Sequence, residues 1–383
     1  MKRRLERIEI PGEHEARERT WKVVRSAFEQ RERVTWPHRH WRSLALAAAV
    51  VAVAAAAITP SGQSVVDSLR DAVGREKVVG VRPAHRELVR LPAPGRLLLS
   101  SPAGAWVVKR SSRRLLGPYR MPAWSPRGKY VAAVKNLELY AIDPAAKGGV
   151  RWSKGFKRRI AWPRWSDEGY RIAYFADDTL RISTGDGEQD WGLGNGHPGV
   201  PPAWRPGTHE LAYVGDDAGV RVADADRKRV LYRVALGSNG VRALSWSDDG
   251  KLLLVLGRSS VWIVRAGEES AISFNPKKGP TLSAAFRPGT HTLAVVIDRN
   301  VFLVQGDVLR FAERVAFAGT TQLGSVTWSP DGKWLLVAWP RADQLVFVRV
   351  GPKPKLYAVS NVGRQFDPAA KRSRFPSVAG WSR

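Results

Sequence analysis

His209 and His291 stand in near-identical settings, G-T-H-E-L-A and G-T-H-T-L-A, and matched histidines are this chain's clearest invitation to metal chemistry. Imidazole is the commonest protein metal ligand. The two positions, however, take the same offset in repeating units that lie two units apart, so rotational repetition holds the side chains apart and no shared metal is expected. A glycine cluster at 192–199, G-L-G-N-G-H-P-G, falls short of a dinucleotide fingerprint, because His197 stands where the third glycine belongs and the cluster precedes a strand instead of following one. It reads as a linking loop. Residues 183–190, S-T-G-D-G-E-Q-D, lack the ligand spacing of a calcium loop and read as a hairpin tip around Asp186. No G-x-S-x-G elbow, H-E-x-x-H pair or P-loop occurs. Cysteine is absent, which excludes disulfides, thiolate zinc, a cysteine nucleophile and an acylated cysteine. The expectation is no catalytic residue, no cofactor and no metal site, with binding residues unassigned. A carboxylate pair assembled from distant segments would escape any linear reading.

The elements that would position such groups are set by a repeat. W-S-P-R-G-K-Y-V-A-A-V at Trp124 returns as W-S-D-E-G-Y-R-I-A-Y-F at Trp165, W-R-P-G-T-H-E-L-A-Y-V at Trp204, W-S-D-D-G-K-L-L-L-V-L at Trp246, F-R-P-G-T-H-T-L-A-V-V at Phe286 and W-S-P-D-G-K-W-L-L-V-A at Trp328. A recurrence of about 40 residues in β-rich units signals propeller blades. Each copy has a glycine three or four residues after the aromatic, where a tight turn needs positive φ. Four apolar residues then follow, as at 131–134, 253–256 and 335–338, with no polar alternation. Such strands have no wet face, as expected when a blade is sandwiched between two others. A second strand and a more polar third follow, as in S-V-W-I-V-R at Ser260 and K-R-V-L-Y-R-V at Lys228, so each unit holds four strands. The aromatics themselves read as interblade core rather than a ligand-stacking set.

The two ends supply one more unit in halves. Residues 95–118 hold the later strands of a blade without its opening aromatic, and F-P-S-V-A-G-W at 375–381 holds the opening strand alone. Closure through Val378–Trp381 would remove two exposed edges. The prediction is an all-β propeller of seven four-stranded blades, with six as the alternative.

The W-S-P-D-G pattern over residues 85–383 resembles the TolB-type, WD-repeat-like propellers of bacterial envelope proteins, although no Trp-Asp dipeptide occurs. That resemblance implies a scaffold for protein or ligand contacts and brings no catalytic residues with it. Sialidase-like S-x-D-x-G-x-T-W turns are not matched, since the glycine of W-S-D-D-G-K falls one residue early and Thr-Trp is missing.

Ahead of the repeats, residues 44–58 are fifteen consecutive apolar residues, and no charge occurs between Arg42 and Asp67. Trp41 before the run, and Pro60 and Gly62 after it, suit a single membrane span better than a cleaved signal, whose head would be far shorter than 42 residues. Residues 1–42 carry twelve Lys or Arg against seven Glu, which orients the N-terminus to the cytoplasm and the remainder outside. The expected organisation is a basic cytoplasmic segment at 1–42 with an amphipathic helix marked by Trp21, Val24 and Phe28, a transmembrane helix at 43–60, a connector at 61–84 and the propeller at 85–383. Of the formal charge of +27, +22 falls after residue 42 and includes runs at 109–114, 154–159 and 371–374. Such a surface suits anionic lipid or wall polymer, a protein partner is the other expectation, and topology argues against nucleic acid. The expected function is a membrane-anchored, extracytoplasmic binding or interaction module. The alternatives are a transmembrane signalling regulator of the anti-sigma kind and an envelope glycan-acting enzyme.

Overall fold

A computed structural model describes residues 87–383, apart from 89, 111, 147, 237–239, 275–278, 307–313 and 352–353. The amphipathic helix, the span at 43–60 and the boundaries at 42, 60 and 84 lie outside the described residues. Among the described residues no helix is long and apolar enough to cross a membrane.

Among the described residues, twenty-eight strands form seven four-stranded antiparallel sheets. In chain order they begin with β1 (Arg96–Ser101), β2 (Gly104–Lys109) and β3 (Ser112–Gly117). Blade 1 follows as β4 (Arg120–Trp124), β5 (Val131–Lys135), β6 (Glu138–Ile142) and β7 (Val150–Gly155). Blade 2 is β8 (Ile160–Trp165), β9 (Arg171–Ala176), β10 (Thr179–Thr184) and β11 (Asp190–Asn195). Blade 3 is β12 (Ala203–Trp204), β13 (Glu210–Val214), β14 (Val220–Asp224) and β15 (Arg229–Val234). Blade 4 is β16 (Ala243–Trp246), β17 (Leu252–Leu256), β18 (Val261–Arg265) and β19 (Ala271–Phe274). Blade 5 is β20 (Thr281–Phe286), β21 (Thr292–Ile297), β22 (Asn300–Gln305) and β23 (Arg314–Ala318). Blade 6 is β24 (Val326–Trp328), β25 (Trp334–Trp339), β26 (Gln344–Arg349) and β27 (Lys355–Val359). Blade 7 is completed from both ends, with β28 (Ser377–Ser382) pairing antiparallel to β1 from Arg96↔Ser382 to Ser100↔Ser377. Seven blades therefore stand, and the six-bladed alternative falls because the terminal strand finds a partner in β1.

The first strand of every blade touches the first strand of the next, from β4 and β8 round to β24, β28 and back to β4, so these seven strands form the inner ring. The reason the following strands are apolar throughout is visible in β17. Leu253 and Val255 pack with blade 3 side chains such as Ala212 and Val222, whereas Leu252, Leu254 and Leu256 pack with Phe286 and Leu293 of blade 5. Successive residues of one strand thus serve two different cores. Seven such clusters occur, one between each pair of neighbouring blades. Each fully buried Leu or Val contributes roughly 1.5–3 kcal/mol relative to exposure.

The turn after each aromatic is formed as its glycine implies: Gly128, Gly169, Gly207, Gly250, Gly289 and Gly332 all have φ between 64° and 84°. The cluster at 192–199 is a correction to the sequence reading. Its first half, through Asn195, belongs to β11, and Gly196 continues into a bridge with Gly215. An outermost strand needs only backbone pairing on one side, so its glycines were no bar. At Gly196 a Cβ would stand 2.6 Å from the Val214 carbonyl oxygen and 3.2 Å from the Phe175 ring. The short helix α1 (Val362–Phe366) buries Val362 and Phe366 between blades 6 and 7, with the Phe366 ring 5.6 Å from Trp106.

Candidate functional site

The inner strands leave a cavity of about 470 Å³ at the end of the ring where the aromatics stand, walled by Trp381, Trp124, Trp165, Trp204, Trp246 and Arg164 among others. These aromatics were expected to be core. For Trp204, Trp246, Phe286 and Trp328 that holds, as each is buried. Trp124, Trp165 and Trp381 are only partly buried, and the seven-fold equivalence breaks at that point.

The break is chemical as well as steric. Trp204 Nε1 donates to the Arg164 carbonyl at 2.9 Å, Trp246 Nε1 to the Ala203 carbonyl at 3.1 Å and Trp328 Nε1 to the Ala285 carbonyl at 3.2 Å. In each case the acceptor is the residue just before the aromatic of the preceding blade. The indole N–H groups of Trp124 and Trp165 are shielded from water and have no acceptor. An unpaired buried donor costs about 1–3 kcal/mol.

Both unpartnered indoles sit on bulged inner strands. The β4–β5 register slips between Arg120 and Ala123, and the β8–β9 register between Ala161 and Arg164. Met121 and Trp162 adopt φ of 51° and 53°, each directly before a proline, Pro122 or Pro163. Proline is tolerated because the inner strand is an edge, with one face of its backbone turned to the channel. A bulky residue at positive φ costs of the order of 1–3 kcal/mol, and bulges commonly re-aim side chains beside functional sites.

Arg164 is the residue so placed. Its Nη1 donates to the Pro163 carbonyl at 2.9 Å, and its guanidinium lies 5.7 Å from the centre of the Trp162 ring. No carboxylate among the described residues pairs with it. Burial alone pushes its pKa down to about 10. Three other partly buried guanidinium groups are paired with carboxylates. Arg171 holds Asp226 at 2.7 Å and Glu168 at 2.6 Å, Arg181 holds Asp190 at 2.5 Å, and Arg221 holds Asp216 at 2.5 Å. An unpaired buried charge costs of the order of several kcal/mol, which those pairings avoid.

Around the mouth, two kinds of turn interlock. In the W-S turns a buried serine hydroxyl accepts the backbone N–H five residues on, as Ser247 does from Leu252 at 3.0 Å and Ser329 from Trp334 at 2.9 Å. In the two R-P-G-T-H turns the arginine reaches the next blade. Arg205 Nε donates to the Gly250 carbonyl at 2.8 Å with its guanidinium 5.5 Å from the Trp246 ring, and Arg287 repeats both contacts with Gly332 and Trp328 at 2.8 and 5.5 Å. Asp248 accepts the Gly289 N–H at 2.8 Å, so the grip continues from W-S turn to R-P-G turn. This alternation was written in the sequence as W-S against W-R or F-R, a signal the repeat alignment contained but did not exploit.

His209 and His291 face different carboxylates. His209 Nδ1 faces Asp226 at 2.7 Å, and His291 Nε2 faces Asp249 at 2.9 Å. Among the described residues no group of three or more His, Asp or Glu side chains could hold a metal ion. Residues 184–189 form the hairpin tip, where Thr184 Oγ1 donates to Asp186 at 2.5 Å. The basic runs are at the surface, with Lys109, Arg110, Arg113, Arg114, Lys371 and Arg372 all exposed. Arg113 Nη1 donates to Gln365 Oε1 at 3.1 Å, which ties the first run to α1, just ahead of the last.

No family model matches the chain, and no curated protein matches it. Solved structures do. The C-terminal WD40 domain of Sif2 superposes with a TM-score of 0.55 at 16% identity, over 78% of this chain and 92% of that one. Kluyveromyces lactis Hsv2 gives 0.53 at 14%, over 70% and 95%. A chain of the mitotic checkpoint complex gives 0.53 at 16%, over 66% and 78%. At such identities the likeness is one of fold, and it agrees with the strand pairing: the described chain is a seven-bladed β-propeller with WD40 propellers as structural neighbours.

Proposed function

We propose that this chain is a binding module, a propeller that engages a protein partner or ligand and is held outside the cytoplasm by a single N-terminal membrane span, in the manner of TolB-type envelope propellers. The observation that carries the reading is the closed ring itself, whose one irregular sector opens a tryptophan-walled mouth. A rigid ring with a concave recess walled by indoles and polar side chains is a common setting for recognition. One structural neighbour is a chain of the mitotic checkpoint complex, in keeping with a protein-contact role. The membrane half of the proposal rests on the apolar run at 44–58 and the basic head before it.

Crosslinking of the full-length chain in intact cells, followed by mass spectrometry of what co-purifies, tests the module. A stoichiometric protein partner mapped to one face of the ring supports it. Recovery of anionic polymer or lipid alone, lost in moderate salt, would instead assign the function to the +22 surface. Deletion of residues 44–58 tests the anchor, and the shortened chain should leave the membrane fraction.

A further inference from the structure

Charge is handled differently on the two sides of the ring. Among the described residues every ion pair falls between residues 143 and 291, in blades 1 to 5, where Arg171, Arg181 and Arg221 hold carboxylates. Blades 6 and 7, taken as residues 326–383 and 87–119, carry sixteen Lys or Arg against four Asp or Glu. Their carboxylates hold turns instead of cations. Asp331 accepts the Lys333 N–H at 3.1 Å, Asp343 accepts the Gly363 N–H at 2.7 Å, and Asp367 is buried.

The unpaired cations gather where the chain enters the ring. Residues 87–94 form a strap whose Leu88 and Leu91 are buried in the core between blades 6 and 7. The Leu91 N–H donates to the Arg110 carbonyl at 2.8 Å, and the Leu88 N–H to Gln365 Oε1 at 2.8 Å. Arg113 Nη1 donates to the same Gln365 oxygen at 3.1 Å. Arg90, Lys109, Arg110, Arg113 and Arg364 are all exposed beside these bonds. The basic run at 371–374 folds back on α1, where Ser373 Oγ donates to the Asp367 carbonyl at 3.0 Å and a Cβ at Gly363 would stand 3.5 Å from Ser373. Three runs distant in sequence thus build one cationic patch around the strap.

We propose that this patch docks blades 6 and 7 on a bilayer surface through anionic lipid headgroups. The strap is the part of the ring joined to the apolar run at 44–58, so an anchor there holds this side of the propeller at high effective concentration over the lipid. A soluble polyanion gains nothing from that tether, whereas each basic residue near an acidic bilayer strengthens contact about fivefold. The inference deepens the proposed function and rests on its membrane half.

The chain has no cysteine, so one fluorophore can be placed at a chosen position. Ser112→Cys puts it on the exposed outer strand of blade 7, and Val230→Cys on that of blade 3. Each labelled full-length chain is reconstituted into phosphatidylcholine vesicles with and without phosphatidylglycerol, and quenching by a headgroup-linked quencher is read. Phosphatidylglycerol should raise quenching at 112 about fivefold or more, reversibly in high salt, and leave 230 unchanged. The combined variant Lys109→Gln, Arg364→Gln and Lys371→Gln should lose most of that gain with an unchanged melting temperature, because all three side chains are exposed. Carbonate extraction separates the two readings. If carbonate strips the chain from neutral vesicles, the anchor fails, and the patch stands only if phosphatidylglycerol vesicles still quench the label at 112 in low salt. The proposal is overturned if 112 does not respond to phosphatidylglycerol, if 230 responds equally, or if the triple variant keeps the full response. It is also overturned if soluble polyglutamate shifts the emission of the 112 label while vesicles do not.

Discussion

The inner ring has two sectors built from the same motif with opposite outcomes. From blade 3 to blade 6 the aromatics are buried, and Trp204, Trp246 and Trp328 each donate to the strand before them. Arg205 and Arg287 lie across the next indole and lock neighbouring turns together. In blades 1 and 2, W-S-P-R-G and W-S-D-E-G place the same tryptophan at the same offset, yet Trp124 and Trp165 stay partly accessible and unpaired. Proline before the aromatic does not account for the difference, since blade 3 has Pro202 two residues before Trp204 and still pairs it. What separates the sectors is the positive φ of Met121 and Trp162 within the bulges of blades 1 and 2, a feature the register slip between Thr281 and Ser283 in blade 5 does not share. A repeat motif thus fixes where a side chain starts, whereas the path of its strand decides whether that side chain becomes core or wall.

Removing residues 377–383 should have the largest effect. It strips β28 from β1 and leaves Leu97, Leu98 and Leu99, all fully buried, beside an open sheet edge. Size-exclusion chromatography and thermal melting should show aggregation or loss of the cooperative transition, and a shortened chain melting within a few degrees of the parent would contradict closure by this strand. Next come the two sectors compared directly by urea denaturation. Trp328→Ala should cost about 3–5 kcal/mol, as expected for a large buried side chain. Trp328→Phe should cost about 1 kcal/mol for the lost bond to Ala285, whereas Trp165→Phe should be neutral or slightly stabilising, because it deletes a donor that has no acceptor. Equal costs for the two phenylalanine variants would erase the distinction.

The smallest effect concerns the interlocking turns and pH. Burial would raise the Asp249 pKa, but the Ser247 hydroxyl, the Lys251 N–H and His291 outweigh it and hold the carboxyl at about 2. A carboxylate depressed on folding stabilises the native state above its unfolded pKa near 4, and that contribution is lost as pH falls through about 2. Melting temperature between pH 5 and 2 should therefore decline more steeply for the parent than for Asp249→Asn, with parallel profiles arguing against the contact.

Much of the fold was legible in the chain. The aromatic-to-glycine spacing located six turns whose glycines all adopt positive φ. The unbroken apolar runs identified strands with two dry faces, and the split seventh unit identified β28, because a ring with an unpaired edge is the less stable solution. The strand at 190–195 escaped because D-W-G-L-G-N has no apolar alternation, and an outermost strand is held by its backbone ladder instead. The candidate site was hardly legible. Arg164 is one cation in I-A-W-P-R-W, and only its neighbours show that it lacks a carboxylate. The Arg205 and Arg287 clasps were open to reading, since the residue after the aromatic alternates between serine and arginine from Trp165 to Trp328.

By itself, then, the sequence determined the period, the split unit at the two ends, the turns, and the apolar run and basic head that precede the ring; the pairing of β28 with β1 settled seven blades over six. Those are local or periodic features, and a short window of residue types is enough to specify them. The tertiary structure decided which tryptophans are walls and which are core, and which arginines meet a carboxylate. The physical reason is that hydrogen bonding and charge pairing across blades join residues 40 to 55 positions apart. Whether Arg171 finds Asp226, or Arg164 finds a carbonyl and a ring but no carboxylate, is not written in the residue types beside either one.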